Sequence, residues 1–418
     1  MPAMAGSRVT NDQPEARRSL RFGRSGYNPA ARTEADSGFS TGFNSFLSTG
    51  RLSLALRLGM RYGVDRRFIP RYLGILATDA GFAPFRFWQS IAYGRSIART
   101  EIHPEPIFLL GFWRSGTTLL HNLFACDPQW GFVNTYQAAL PDLFLAGQRR
   151  LRRMLESTLP ENRGIDNIPV DFAMPQEEEI ALMCASGLSP YVSLNFPRTA
   201  NETLEYLFMG NDVDRRDLER WRAAYTRLLK AATLYMEGKP LVLKSPSNTS
   251  RIAELLRLFP DARFVYIQRN PYDTLRSYLH LLRLMNGWHA LQSFDFDELV
   301  QRQVRIYRRM AEAYLEQREL IPDGRMVEIR YEDLDEDKIG QVQHIYRALS
   351  LDGYDEFAQQ LADYVASIAD FQKNPSQISD QVIQLVNDHV PFLVSEYGYE
   401  FISPERVAGA RRVVYRPE

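Results

Sequence analysis

Residues 107–118 read IFLLGFWRSGTT, a continuous apolar run that opens into a loop carrying two glycines and a dense set of donors. Pro106 bounds the run on one side, and TTLLHNLFACD (117–127) follows with helical spacing before Pro128. The order predicts a buried parallel strand, IFLLGFW (107–113), whose carboxyl end feeds a helix N-terminus. Backbone N–H groups in such a turn, together with the helix dipole, make an anion site. Gly111 and Gly116 allow the close backbone approach this needs, and Arg114, Ser115, Thr117 and Thr118 add donors. A plain strand–helix turn would explain the glycines but not the donors. A nucleotide-binding loop of the GxxxxGK[ST] type would place a lysine at position 117; here that position is threonine.

The same pattern recurs outward from this stretch. LVLK (241–244) predicts a second buried strand, with a helix from Asn248 or Thr249 to Phe259 that Pro260 ends. FVYIQ (264–268) predicts a third strand, leading into a helix from Pro271 to about Met285, with proline in the first turn where its missing N–H costs nothing. MVEIRY (326–331) is a fourth. Residues 212–236 and 297–319 have helical spacing, and further helices are expected near 335–350, 355–370 and 380–395. Strands alternating with helices predict an α/β sandwich around a mostly parallel sheet.

Composition narrows the classes. With 418 residues, 45% of them hydrophobic, the chain can bury one large domain with an appendage. Fifty basic residues against 51 acidic ones give a net charge of −1, which argues against a nucleic-acid binder. Cys126 and Cys184 form neither a metal spacing nor a disulfide framework, and the six histidines are scattered singly, so no metal site is expected. The start has no secretory pattern, and no apolar stretch reaches the roughly 18 residues of a membrane span. These features predict a cytoplasmic protein, soluble or peripheral to a membrane.

Residues 1–45 read as a disordered tail, 46–105 as a basic amphipathic helical extension, and 106–418 as the main domain. From Phe46 to Thr100 the extension carries nine arginines against Asp65 and Asp79, interleaved with apolar and aromatic residues. Such a segment lies on an anionic membrane surface or packs on the domain with its arginines in water. Pro70 and Pro84 are expected to cut it into short helices, which favours packing.

A second anion site is indicated by QRNPYDTLRS (268–277), with Arg269 at the carboxyl end of a parallel strand, where such sheets place ligands. Ser277 lies two turns into the next helix. At this point the chain resembles a known family. GFWRSGTTLLHNLF is similar to the 5′-phosphosulfate loop of sulfotransferases, FPDARFVYIQRNPYDTLRSYL to their 3′-phosphate motif, and IRYEDL (329–334) to a further shared element. The similarity runs from about Pro106 to about Glu400, nearest in kind to bacterial sulfotransferases that also resemble tyrosylprotein sulfotransferases. It implies a P-loop-like three-layer sandwich with a mostly parallel central sheet and helical additions. It also implies that Arg114, Ser115, Gly116, Thr117 and Thr118 hold the 5′-phosphosulfate of 3′-phosphoadenosine 5′-phosphosulfate (PAPS). Arg269 and Ser277 would hold the 3′-phosphate, and Tyr331 would either line the adenine pocket or pack in the core.

Sulfuryl transfer calls for positioning and for positive charge at the departing oxygen, with no metal required. Lys244, ending the second strand, is the expected cation. A general base is also needed. Many relatives carry a glutamate shortly after the loop helix, where this chain has Gln137. Of Glu177, Glu178 and Glu179 in MPQEEEIALM (174–183), Glu179 aligns best, although three acids after a proline also suit a helix N-terminus. His121, near the donor loop, is a further catalytic candidate; a lone histidine there, like His280, also suits simple packing. The aromatic and apolar stretches FVNTYQAALPDLFL (132–145) and GLSPYVSLNFP (187–197) suggest a lipid, glycolipid or other partly apolar alcohol as acceptor. The other readings are an NTP-dependent kinase with a degenerate loop and a non-catalytic nucleotide-binding adaptor at a membrane surface.

Overall fold

Ile107, Phe108, Leu109 and Leu110 have no exposed surface, as a strand covered on both faces requires. In a computed structural model of the chain, which describes residues 45–147, 150–156, 171–210, 213–369 and 378–403, they form β1 (Ile107–Leu110) at the centre of a sheet. Its neighbours are β2 (Val242–Lys244) and β3 (Arg263–Gln268), and β4 (Met326–Arg330) pairs with β3, in the order β2-β1-β3-β4. All these pairings are parallel, with Leu109 opposite Lys244, Leu110 opposite Tyr266 and Gln268 opposite Arg330.

Alternation along the strands produces the layers. Phe108, Leu110, Leu243, Phe264 and Tyr266 face one core, shared with helices Arg215–Tyr235, Pro271–His289 and Phe296–Gln317. Ile107, Leu109, Val265, Ile267 and Ile329 face the other, shared with helices Lys338–Ala348 and Tyr354–Ser367. The architecture is therefore the three-layer α/β sandwich with a parallel sheet that the sequence led us to expect.

Several boundaries differ from expectation, three of them next to the first three strands. The first strand ends at Leu110 rather than Trp113, because Gly111 takes φ +150 and turns the chain. The segment after β2 divides into a 3-10 turn, Pro246–Ser250, and a helix, Ile252–Leu258. The helix from Pro271 runs on to His289, since Leu282, Asn286 and His289 prolong its buried stripe.

Before the sheet, α1 (Leu52–Tyr62) buries Leu54, Ala55 and Leu58. It packs against α2 (Ile69–Arg99), a helix of 31 residues. Tyr72 donates to the Ala55 carbonyl at 3.0 Å. Pro70 sits in the first turn of α2, but Pro84 does not break the helix. Ala80 and Pro84 are both exposed, so water can satisfy the carbonyl that loses its N–H partner. A third core joins Leu54, Leu58 and Ile75 of these helices to Tyr191, Val192 and Phe196. The expected tail, 1–45, lies outside the described residues except for Ser45. Among the described residues no helix is long and apolar enough to cross a membrane.

Candidate active site

Each strand delivers one part of the site at its carboxyl end. The loop 111–116 leaves β1 and enters α3 (Thr117–Phe124), whose first turn has no side-chain cap. Its leading N–H groups are thus available to an anion. Gly116 has φ +104, and a Cβ there would stand 2.3 Å from Cδ2 of Tyr331, so only glycine fits between this loop and the residue that follows β4. The start of the loop is fixed by Thr249, whose hydroxyl accepts from the Gly111 N–H at 2.9 Å and donates to the Gly111 carbonyl at 3.0 Å. Ser115 is 2% exposed, and its Oγ lacks a protein partner. A buried hydroxyl without a partner is costly unless a ligand satisfies it.

The two anion motifs are brought together into one cluster. Arg114, in a left-handed conformation at φ +71, donates from Nε to Ser277 Oγ at 3.0 Å. Arg269 donates from Nη1 to the Arg114 carbonyl at 2.8 Å and lies 4.2 Å over the Tyr331 ring. Tyr331 is also partly buried against the second core. Two arginines, a serine and an aromatic ring thus converge beside a helix N-terminus, a constellation suited to a multiply charged nucleotide.

Lys244, at the end of β2, is 1% exposed. Its Nζ donates to Glu177 at 2.8 Å and stands 3.5 Å from Thr118 Oγ1. The three successive glutamates have separate fates. Glu179 is wholly enclosed and accepts from Arg251 Nη1 at 2.6 Å and Nη2 at 3.2 Å, while Arg251 Nε donates to the Tyr206 carbonyl at 2.8 Å. Glu178 accepts from Asn248 at 2.6 Å, Tyr225 at 3.2 Å and the Lys244 backbone N–H at 3.2 Å. Burial raises its carboxyl above the usual range. Only Glu177 retains exposure, 17% of its side chain, and it faces Lys244. Both oxygens of Glu179, the glutamate that the sequence favoured as base, accept from Arg251.

Glu177 has a second donor that the sequence did not single out. The Tyr191 hydroxyl donates to it and accepts from Trp113 Nε1 at 2.9 Å. Burial, then the Glu177 charge, holds the Tyr191 phenol well above its ordinary value, so it remains a donor. Trp113 belongs to the loop itself, so a chain of contacts runs from the loop through Tyr191, Glu177 and Lys244 back to Thr118 in the first turn of α3. Tyr191 gives no signal in the sequence because its partners lie far off along the chain. Thr249 leaves only a weak one, the hydroxyl-rich SPSNTS after Lys244.

The histidines and Gln137 are accounted for otherwise. His121 is 1% exposed and hydrogen-bonds the Val242 carbonyl at 3.3 Å through Nε2. Burial and the Lys244 charge push it down to about 3, so it stays neutral and is a poor proton acceptor at neutral pH. His280 is also lowered, by burial and then by Arg114 and Arg283. Gln137 belongs to α4 (Thr135–Ala139), where it completes a capping box: its Oε1 accepts from the Asn134 N–H at 3.0 Å, and Asn134 Oδ1 accepts from its N–H at 2.9 Å.

A parallel α/β sandwich with an anion loop and two arginines at one sheet edge suits an enzyme that handles an anionic substrate, and the comparisons narrow the class. Residues 106–356 match the family model described as the Sulfotransferase family. The chain is 34% identical over 319 residues to omega-hydroxy-beta-dihydromenaquinone-9 sulfotransferase Stf3 of Mycobacterium bovis, covering 76% of this chain and 81% of that one. The Mycobacterium tuberculosis protein of the same name gives the same figures. Among solved structures, sulfotransferase STF1 from M. tuberculosis superposes with a TM-score of 0.55 at 20% identity, covering 84% of this chain and 94% of that one. STF9 from Mycobacterium avium gives 0.54 at 18%, covering 84% and 96%. These two show the shared fold. The chain belongs to the sulfotransferase family, and it is a sulfotransferase.

Proposed function

We propose that the chain transfers a sulfuryl group from PAPS to the hydroxyl of a lipid alcohol, with Lys244 as the catalytic cation and Glu177 as the general base. The observation that carries this reading is the convergence of all four strand ends: the 111–118 loop, Lys244, Arg269 with Ser277, and Tyr331. PAPS suits these residues, since Ser115 holds a buried hydroxyl with no protein partner and α3 has an uncapped first turn. When bound, it supplies the activated sulfuryl group and a nucleotide leaving group.

The roles of the chain's own groups follow from their positions. Arg114, Ser115, Gly116, Thr117 and Thr118 bind the 5′ end, and Arg269 with Ser277 the 3′-phosphate; Tyr331 offers a ring to the base. Lys244 exchanges Glu177 for the oxygen at which charge builds, which favours departure of the leaving group. That exchange frees the Glu177 carboxylate to take the proton of the attacking hydroxyl. Tyr191 keeps the carboxylate oriented meanwhile. A threonine at position 117 weighs against the kinase reading, and a lysine–glutamate pair beside the loop weighs against a purely non-catalytic adaptor.

The lipid acceptor is supported by the relative that carries a dihydromenaquinone in its name, at 34% identity. Composition alone supports it less. Val133, Tyr136, Leu140, Phe144, Val192 and Phe196 are all buried in cores, so the two apolar stretches are explained by packing. The test is incubation with labelled PAPS and a panel of quinol-type and polyprenyl alcohols, phenols and sugars. Label should enter the lipid alcohols. Absence of PAPS binding by calorimetry would overturn the donor, and label entering sugars alone would overturn the acceptor.

A further inference from the structure

The polarity of α2 is inverted relative to an ordinary surface helix. Its polar groups turn inward: Asp79 and Gln89 are buried, and Arg86 donates to the Thr49 carbonyl at 2.9 Å and to the Asp79 carbonyl at 3.0 Å. Gln89 accepts from the N–H groups of Leu145 and Ala146 at 2.9 and 3.0 Å. The outward side is apolar. From Leu73 to Ala92 no exposed residue of α2 carries a charge, and Ser90 is the single exposed polar side chain. Leu73, Ala77, Pro84, Phe87 and Ile91 recur at helical spacing, with Trp88 beside them. Phe87 is 70% exposed and Ile91 65%. At 1.5 Å per residue the stripe is about 27 Å long.

Large apolar side chains left in water over such a length mark an interaction surface, and the charges at its ends indicate the partner. Exposed Arg66 and Arg67 precede the stripe, and exposed Arg95 and Arg99 follow it. Between Phe46 and Thr100 the acidic residues are Asp65 and Asp79. Asp65 accepts from Arg198 and from the Ser293 N–H, and Asp79 is enclosed, while Glu101, exposed just beyond the helix, offsets at most one of Arg95 and Arg99, so the rim stays net basic. A second copy docked by a two-fold axis would set one arginine cluster against another, whether the helices ran parallel or antiparallel. An anionic bilayer surface satisfies both features: its phosphates meet the arginines while the aromatic stripe enters the boundary between headgroups and acyl chains.

We infer that α2 is a peripheral membrane-docking helix that seats its outer face in an anionic lipid surface. The seat is rigidly tied to the site, because Ile75 of α2 shares the third core with Tyr191 and Trp113 packs against that core. The inference stands on the surface of α2 and does not depend on the acceptor proposed above.

The experiment is co-sedimentation of the full chain with vesicles of phosphatidylcholine alone and of phosphatidylcholine with one quarter phosphatidylglycerol. Binding is expected to the mixed vesicles, weakening with salt, and Trp88→Phe should reduce quenching of the fluorescence by brominated acyl chains. Phe87→Glu with Ile91→Glu removes two apolar side chains that would enter the lipid and should lower the partition coefficient by about 100-fold or more. The unfolding midpoint should hardly change, since both side chains are exposed. Arg95→Gln with Arg99→Gln should cost about fivefold per charge on anionic vesicles alone. No binding by the full chain, or equal binding by the Phe87/Ile91 variant, would overturn the inference. So would a lipid-free dimer that this variant dissociates, which would assign the face to a second copy.

Discussion

The sheet edge and the helix Glu178–Ser186 that faces it handle charge in opposite ways. At the edge, the guanidinium of Arg269 is met by a backbone carbonyl and a tyrosine ring, and that of Arg114 by the Ser277 hydroxyl. Across from it, Glu179 is neutralised by Arg251 in a pair with no exposed surface, and Glu178, its carboxyl raised by burial, is held by three neutral donors. Arg269, held by neutral groups, keeps its attraction for a ligand, whereas the matched pair of Glu179 and Arg251 serves to hold parts of the protein in place. Glu177 stands between the two regimes. It is paired with Lys244 yet partly open, which is the state expected of a group that exchanges partners during a reaction.

Substitutions can test where this division falls. The largest effect belongs to the matched side. Glu179→Ala strands a buried arginine and should cost about 3–5 kcal/mol of unfolding free energy, read by denaturant titration. Glu179→Met with Arg251→Met removes both charges and should restore most of that loss; failure to do so would mean the pair acts by more than charge matching. Next comes the exchanging side. Lys244→Ala should lower turnover by about 10²–10³ while calorimetry finds PAPS affinity nearly unchanged, and an unaltered rate would remove Lys244 from the chemistry. Ser277→Ala, on the ligand-ready side, should weaken donor binding by about 1.5–3 kcal/mol, the worth of a hydrogen bond to a charged group. Equal weakening of adenosine, which lacks the 3′-phosphate, would contradict its assignment.

The smallest effect concerns Asp79, which burial pushes up to about 7 despite Arg86. Its folded form keeps the proton that the unfolded chain releases near the ordinary aspartate value of 3.8. The stabilising contribution is therefore full below about pH 4 and is lost as pH rises towards 7. Asp79→Asn should flatten the part of the melting-temperature profile between these limits. A profile identical to the parent's would show that Asp79 is ionised in the fold.

The same contrast explains what the sequence disclosed. The donor side was legible because local chemistry writes it. Strand, loop and helix follow one another at 107–124 and again at 263–289, which singles out Arg114 and Arg269 near strand ends, and the resemblance to sulfotransferase motifs adds Ser277 and the expected roles. The wall was not legible, because burial and long-range partners decide it. Nothing in QEEE distinguishes the glutamate that meets Arg251 from the one that meets Lys244, for those partners lie 72 and 67 residues away. Gln137 stands where many relatives carry a glutamate, and Asn134 three residues earlier marks it as half of a capping box. Pro84 misled in the opposite direction. A proline usually ends a helix, but here both it and the carbonyl it deprives of a partner face solvent.

The central claim is that Glu177, and not Glu179, takes the acceptor proton. It is tested most directly by single-turnover sulfation with labelled PAPS in two variants, Glu177→Gln and the Glu179→Met, Arg251→Met pair, at matched donor occupancy. The account predicts that the first loses about 10²–10⁴ in rate with its fold and donor affinity intact, and that the second stays close to the parent. A Glu177→Gln variant that turns over normally, beside a paired variant that folds but has lost catalysis, would contradict it.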